Sequence, residues 1–335
     1  MSVEQVTVAI DAMGGDHAPD TIVAGALAAV EQLGVRVLLA GQEDRIRALL
    51  PDGETPEGVE LLPASEVIAM DDEPATSVRT KKDASMTRAA EAVRDGKAQA
   101  LVGAGNTGAT MAAALLRFGR IKGVARPAIA VPVPAIAADA QLLVDAGATV
   151  DCQPDWILQF GLMAREYARV RLGVDEPTVG LLSNGEEAGK GDELRKAVFP
   201  ILQAQLPGFV GNCEGRDIMG GSPNVVLTDG FTGNIALKTA EGAVRAVAKL
   251  VFEVLDSTPE AREAAKVITP LLLERAKYLD PEHTGGALLL GVDGVCIISH
   301  GSSGSTAIIN AVRAAKDAVE ANVIDRLKEA AQHAG

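Results

Sequence analysis

Apolar residues in this chain fall into short runs, and each run ends in glycine and small polar residues before a stretch with helical spacing. Val6 to Ile10 reads as a buried strand, after which Ile22, Ala26, Val30 and Leu33 mark one helical stripe. Val35–Ala40, Ala100–Val102, Leu142–Val144, Thr178–Leu182, Asn224–Thr228 and Gly294–Ser299 repeat the pattern. Strand then helix, repeated, predicts a mostly parallel sheet with right-handed crossovers. Pro127 to Pro134 is apolar, but its prolines predict an edge or irregular strand. Asp83 is the expected N-cap of a helix through Val93. A helix from about Pro154 to Arg171 buries Trp156, Phe160, Met163 and Tyr167 as core or subunit interface. Lys249 to Tyr278 holds Leu250, Val254, Val267, Leu271 and Leu272 at helical spacing, which predicts a helical pair projecting from the sheet.

The strand ends carry the candidate chemistry. Gly103-Ala104-Gly105-Asn106-Thr107-Gly108 joins a strand to an alanine-rich helix. A helix start offers unpaired N–H groups and partial positive charge, which suits a phosphate-type anion held by Gly105, Asn106, Thr107 and Gly108. The competing reading is a turn that is glycine-rich only for close packing. The literal pattern is G-x-G-x-x-G, yet a dinucleotide site needs an acid roughly 20 residues on. Here Arg117, Arg120, Lys122 and Arg126 come first, and the first acid is Asp139. Asn184 and Lys190 lie in another glycine-rich loop, which lacks the Walker spacing and the Ser or Thr after the lysine. Asp16 and His17, then Asp229 and Asn234, then His300, Ser302 and Ser303 follow three further strands. If the sheet is parallel, these loops share one edge and build one polar, anion-binding cleft.

Composition narrows the class. A chain of 335 residues with 47% apolar but only 3% aromatic residues builds its core from Ala, Val, Leu, Ile and Gly, as helix-covered sheets do. A net charge of −14 argues against general nucleic-acid binding. Cys152, Cys213 and Cys296 show no metal spacing and read as reduced thiols, which fits a cytoplasmic protein. The expectation is an enzyme with no metal and no cofactor. Neither a signal peptide nor a bilayer-spanning run of about 18 apolar residues is expected.

Taken together, DAMGGDHAP at Asp11–Pro19, AGNTGA at Ala104–Ala109, EGRD at Glu214–Asp217, TDGFTGN at Thr228–Asn234 and HGSS at His300–Ser303 resemble the bacterial phosphate acyltransferase (PlsX) family of phospholipid synthesis. The resemblance runs from about Val6 to Ala315. It implies transfer of a long-chain acyl group from acyl carrier protein to inorganic phosphate, giving acyl-phosphate. It also implies one α/β/α sandwich over residues 1–335 of the isocitrate/isopropylmalate dehydrogenase type, as a homodimer. A peripheral membrane association and a membrane glycerol-3-phosphate acyltransferase as user of the product come with it.

Within that chemistry, Asn106, Thr107 and their neighbouring N–H groups would hold phosphate, with Asp16, Asn184, Ser302 and Ser303 as further binding residues. Asn234 or Ser302 would receive the oxyanion, and His300, His17 or Lys190 would protonate the departing thiolate. Asp229 would orient a cationic partner. The stretch Arg117, Arg120, Lys122 and Arg126 would dock the acidic carrier. The alternatives are a short-chain phosphate acetyltransferase and a non-catalytic anion-binding module. The acids of the projecting helical pair, Glu253, Asp256, Glu260, Glu263 and Glu274, favour dimer packing over anionic lipid there.

Overall fold

Runs of Val, Ile, Leu and Ala too short for helices, without polar alternation, need cover on both faces, and they become strands sandwiched between helices. The structure, a computed structural model, describes residues 5–136, 140–276 and 285–332. Its strands are β1 (Thr7–Asp11), β2 (Arg36–Gly41), β3 (Val59–Pro63), β4 (Ala100–Gly103), β5 (Ala128–Pro134) and β6 (Ala140–Val144). β7 (Val179–Leu182), β8 (Phe209–Cys213), β9 (Val225–Leu227), β10 (Ala287–Leu290) and β11 (Val295–Ile298) complete the sheet. The α-helices are α1 (Asp20–Leu33), α2 (Glu43–Arg47), α3 (Pro74–Thr80), α4 (Ser85–Arg94), α5 (Thr107–Arg117) and α6 (Pro154–Arg171). α7 (Glu193–Gln205), α8 (Gly230–Leu255), α9 (Pro259–Ala276), α10 (Ser305–Glu320) and α11 (Val323–Gln332) follow.

Among the described residues the strands form one sheet in the order β3-β2-β1-β4-β11-β10-β5-β6-β9-β7-β8. Most neighbours pair in parallel, but β10 is antiparallel to both β11 and β5, and β5 is antiparallel to β6. The sheet therefore reverses direction at its centre. The C-terminal ends of β1, β4 and β11 open on one rim. Those of β6, β9, β7 and β8 open on the opposite rim. This corrects the expectation of a single shared edge, which holds only for uniformly parallel strands.

β5 is not an edge strand. It sits between β10 and β6, and its prolines are tolerated because β10 pairs only with Ala128, Ile129 and Ala130. Pro132 and Pro134 lie past that ladder, so their missing N–H groups cost no bond on that side. Nor does Asp83 cap a helix: α4 starts after Ala84, and the Asp83 carboxylate takes the Ser65 N–H at 2.9 Å and its hydroxyl at 2.6 Å. Tyr278, at the end of the expected helical pair, lies outside the described residues. Of that pair, the first helix is the continuation of α8 itself.

The two faces of the sheet bury separate apolar layers. α1, α6, α7, α10 and α11 cover one, with Phe160, Met163 and Ile308 fully buried. α4, α5 and the start of α8 cover the other, with Met86, Leu101 and Leu289. On this second face the gap between α5 and α8 leaves the reversed strands β10 and β5 thinly covered.

Glycines at the rims serve close approach. A methyl group at Gly105 would sit 2.9 Å from the Gly14 Cα, and one at Gly14 would sit 3.1 Å from the Gly105 Cα, so the β1 and β4 loops touch backbone to backbone. The Asp16 N–H then donates to the Gly301 carbonyl at 2.8 Å, which locks in the β11 loop. At the other rim the Asp145 carboxylate accepts N–H bonds from Ile129, Gly147, Ala148 and Thr149 at 2.7–3.0 Å. Gly230 and Gly233 let α8 pack onto that loop, and a methyl group at Gly233 would overlap the Asp145 carbonyl oxygen. Gly233→Ala is expected to cost about 1–3 kcal/mol of stability through overpacking. It should lower the urea midpoint, while Gly189→Ala, whose new methyl group meets open space, leaves it in place.

Candidate functional site

A cavity of about 550 Å³ occupies the thinly covered strip between α5 and α8. Its floor is Ile129 and Val131 of β5 and Ala287 of β10, and Ala146 borders it. Ile129 and Val131 share a sheet face by strand alternation.

The α5 side of the cavity is a helix N-terminus. Asn106 is its N-cap, and its Oδ1 accepts the Ala109 N–H at 3.0 Å. Its Nδ2 donates to the Met70 and Asp72 carbonyls, each at 3.2 Å. Both ends of the Asn106 side chain are thus engaged, and Thr107 is the residue of this turn that lines the cavity. The three glycines of the turn are all packed against protein: Gly103 on Met86 and Thr110, Gly105 on Gly14, and Gly108 on Pro74. Close packing accounts for them, and the anion-attracting element left is the helix start at Thr107.

The rim loops supply Asp16, His300, Gly301, Ser302 and Ser303. Ser303 is buried and shares a hydrogen bond with Ser299 at 2.8 Å, whereas Ser302 is exposed. His17 stands on the same rim but outside the cavity lining. Its carbonyl accepts the Thr21 N–H at 3.2 Å.

α8 contributes the opposite wall. Asn234, Leu237, Lys238, Glu241 and Arg245 line the cavity at helical spacing. Glu241, with 12% of its side chain exposed, is the hub. Its carboxylate lies 3.1 Å from Lys238 Nζ, 3.2 Å from Arg245 Nη2 and 3.8 Å from His300 Nε2. Lys238, Glu241 and Arg245 are not among the expected site residues. The signal was available: four polar positions, 234, 238, 241 and 245, continue one face of the helix that TDGFTGN opens.

This cluster sets the state of His300. Dehydration by the surrounding protein disfavours the imidazolium, Lys238 and Arg245 oppose it further, and Glu241 favours it. The balance holds the His300 imidazole below its ordinary pKa of 6.5, hence neutral at pH 7.

The second rim holds the other expected residues. Asp229 caps α8 through the Thr232 N–H at 2.9 Å and pairs with buried Arg195. Burial works against the Asp229 charge, but the Thr232 N–H and the Arg195 guanidinium outweigh it and keep its carboxyl below the usual value. Asp229 has its cation, and the pair braces the helix start. Asn184 Oδ1 accepts the Gly191 N–H at 2.9 Å and so ties its own loop. Lys190 packs over Gly185 in that loop. Asn184, Lys190 and Asp229 do not line the cavity: Asn184 borders a separate recess with Asp192, Arg195 and Thr232, and Asp229 is turned toward Arg195.

The expected docking cations separate as well. Arg117 lies 3.3 Å from Glu91 of α4, an acid that the local sequence did not reveal. Arg120 and Arg126 line a groove of about 720 Å³ with Met111, Leu115, Pro127 and Val150. Arg126 stacks over Trp156 at 4.8 Å, and Lys122 is exposed. Pro127, which lines the groove, directly precedes β5, whose Ile129 and Val131 floor the cavity.

A family model described as fatty acid synthesis protein matches residues 6–326. A phosphate acyltransferase of Desulfitobacterium hafniense is 48% identical over 323 residues, 96% of either chain. One of Gloeothece citriformis is 44% identical over 331 residues, 98% of this chain and 94% of its own. Among solved structures, a phosphotransacetylase from Streptococcus pyogenes superposes with a TM-score of 0.60 at 13% identity, covering 99% of this chain and 94% of its own. A 4-hydroxythreonine-4-phosphate dehydrogenase from Klebsiella pneumoniae gives 0.53 at 13% identity, covering 93% and 99%. These likenesses show the fold: a three-layer α/β/α sandwich on a mostly parallel sheet.

By NMR, the His300 imidazole should titrate below pH 6.5. Lys238→Met should raise that midpoint, and Glu241→Gln should lower it, since the first removes a repelling charge and the second an attracting one. Shifts of the same sign in both variants would reject this electrostatic account.

Proposed function

This chain belongs to the phosphate acyltransferase family and transfers an acyl group to phosphate, and from that premise we propose that the donor is a long-chain acyl thioester of acyl carrier protein. The observation that carries the reading is a helix N-terminus, two cations and a neutral imidazole converging on one cavity with an apolar floor. The Thr107 turn and Lys238 attract hydrogenphosphate, and Ser302 and Asp16 border it. One phosphate oxygen attacks the thioester carbonyl carbon. The resulting oxyanion receives hydrogen bonds from Asn234 or Ser302, and the C–S bond then breaks.

The proton balance closes without an external acid. Hydrogenphosphate gives its proton to neutral His300, which passes it to the departing thiolate. Acyl-phosphate and the free thiol of the carrier result. Glu241 steadies the transient imidazolium. Lys190 and His17, candidates for this proton in sequence, lie outside the cavity lining and take no part in this scheme.

The groove beside Arg120 and Arg126 is the proposed landing site of the acidic carrier, and its apolar wall leads the thioester arm along β5 to the cavity. Arg117, held by Glu91, contributes less. The carrier-bound product thiol then leaves by the groove. Acyl-phosphate is suited to a membrane glycerol-3-phosphate acyltransferase as its next user.

A homodimer is part of the reading. Ile235, Val247, Leu250 and Val254 of α8 and Val267, Leu271 and Leu273 of α9 stand half or more exposed in one chain. Such a row on a helical pair fits a second copy of itself. Among the described residues no helix is long and apolar enough to cross a membrane. Peripheral contact with lipid through the same pair remains the second use of this row.

Thiol release from palmitoyl carrier protein should require phosphate, and release that ignores phosphate would reject the transferase reading. Replacing Arg120 and Arg126 together by Glu should raise KM for the acyl carrier tenfold or more and leave KM for phosphate within twofold. A common rise would reject the docking site. In sedimentation, Leu250→Glu with Leu271→Glu should convert a dimer to a monomer. Loss of liposome flotation without that conversion assigns the row to lipid instead.

A further inference from the structure

One branch of the cavity has no role in phosphate binding. Beyond His300 the space continues under α8, walled by Leu237, Ala240 and Val244, which repeat on one helix face. Val131 and Val133 of β5 form its floor, and Met219 faces them. Val131, Leu237, Glu241, Arg245 and His300 belong to both the branch and the main cavity, so the two meet at the imidazole. The residues that line the branch alone, Pro132, Val133, Pro134, Met219, Ala240 and Val244, are all apolar.

Met219 is held there against its backbone preference. Its φ is +70°, a region that L side chains rarely adopt. Buried Gln141 enforces it: Gln141 Oε1 accepts the Met219 N–H at 2.9 Å, while its Nε2 donates to the Pro223 carbonyl at 2.6 Å. The Met219 carbonyl in turn accepts the Ile136 N–H at 2.8 Å. A residue kept in a sparsely populated conformation by a buried, fully engaged partner points to a positional requirement.

We propose that this branch receives the acyl tail of the substrate and that Met219 closes its far end and sets the chain length. The inference rests on the acyl-transfer reading above. With the thioester carbonyl at His300, the tail follows the apolar-lined path between α8 and β5. The carrier arm takes the other direction along the strand, toward Arg120. Acyl tail and phosphate thus enter from different sides of the same carbon. The occupant follows from continuity with the reacting centre and from the apolar side chains that, among the described residues, line the branch alone.

The experiment measures kcat/KM for butyryl, octanoyl, palmitoyl and stearoyl thioesters of acyl carrier protein in the full-length enzyme. Ala240→Phe fills the branch. At ~0.8 kcal/mol per buried methylene, or about fourfold each, loss of two or more methylene contacts lowers the palmitoyl-to-butyryl ratio by about tenfold or more. Met219→Ala opens the far end and should raise the stearoyl-to-palmitoyl ratio severalfold. Its opposite sign keeps the test decisive where Ala240→Phe does not fold. Phosphate-dependent turnover with both ratios unmoved overturns the branch and leaves the transferase reading standing. Absence of phosphate-dependent turnover with every thioester overturns both.

Discussion

The reversal of strand direction at β10, β5 and β6 governs how this molecule is built. Two parallel halves that met in register would have placed all their helix-opening loops on one edge. Because three antiparallel ladders intervene, the loops of β1, β4 and β11 face one way and those of β6, β9 and β7 face the other. A site drawing on both halves then needs an element that travels between rims. α8 does so: it is capped at Asp229 on the second rim and carries Lys238, Glu241 and Arg245 past the sheet face to His300 on the first. Among the described residues no other helix covers β10 and β5 there, which leaves the cavity beneath it.

Two backbone contacts make that geometry rigid. At the first rim, Gly14 lies against Gly105, so the DAMGGD and AGNTGA loops fit only without side chains at the interface. At the second rim, Gly230 and Gly233 seat α8 on the loop that Asp145 organises with four N–H bonds. The glycines that look like a phosphate cradle in one dimension serve mainly to bring loops together. The anion-attracting groups are those that the loops then aim: the N-terminus of α5 and the cations of α8. Glu241 couples them, since it pairs with both Lys238 and Arg245, leaving one net positive charge, and at the same time faces the imidazole whose protonation those cations oppose.

The amino-acid sequence by itself determined the strand-helix alternation and the rim motifs and, through the resemblance those motifs carry, the family and with it the three-layer class. These are properties of local spacing, with period 2 or 3.6 and glycine at turns, and they survive without knowledge of neighbours. The tertiary structure alone decided which motif residues share a cavity. In sequence Asn106 is a candidate phosphate ligand, whereas in the fold its side chain is engaged by Ala109 and by the Met70 and Asp72 carbonyls. Lys190 and Asn184 are candidate site residues in sequence, whereas in the fold they are engaged within their own loop and outside the cavity lining. Arg117 read as a free cation until Glu91, 26 positions earlier in the sequence, came within 3.3 Å. Hydrogen-bond and charge pairing across long sequence separations depends on which strands run together and in which sense, and no local pattern encodes that.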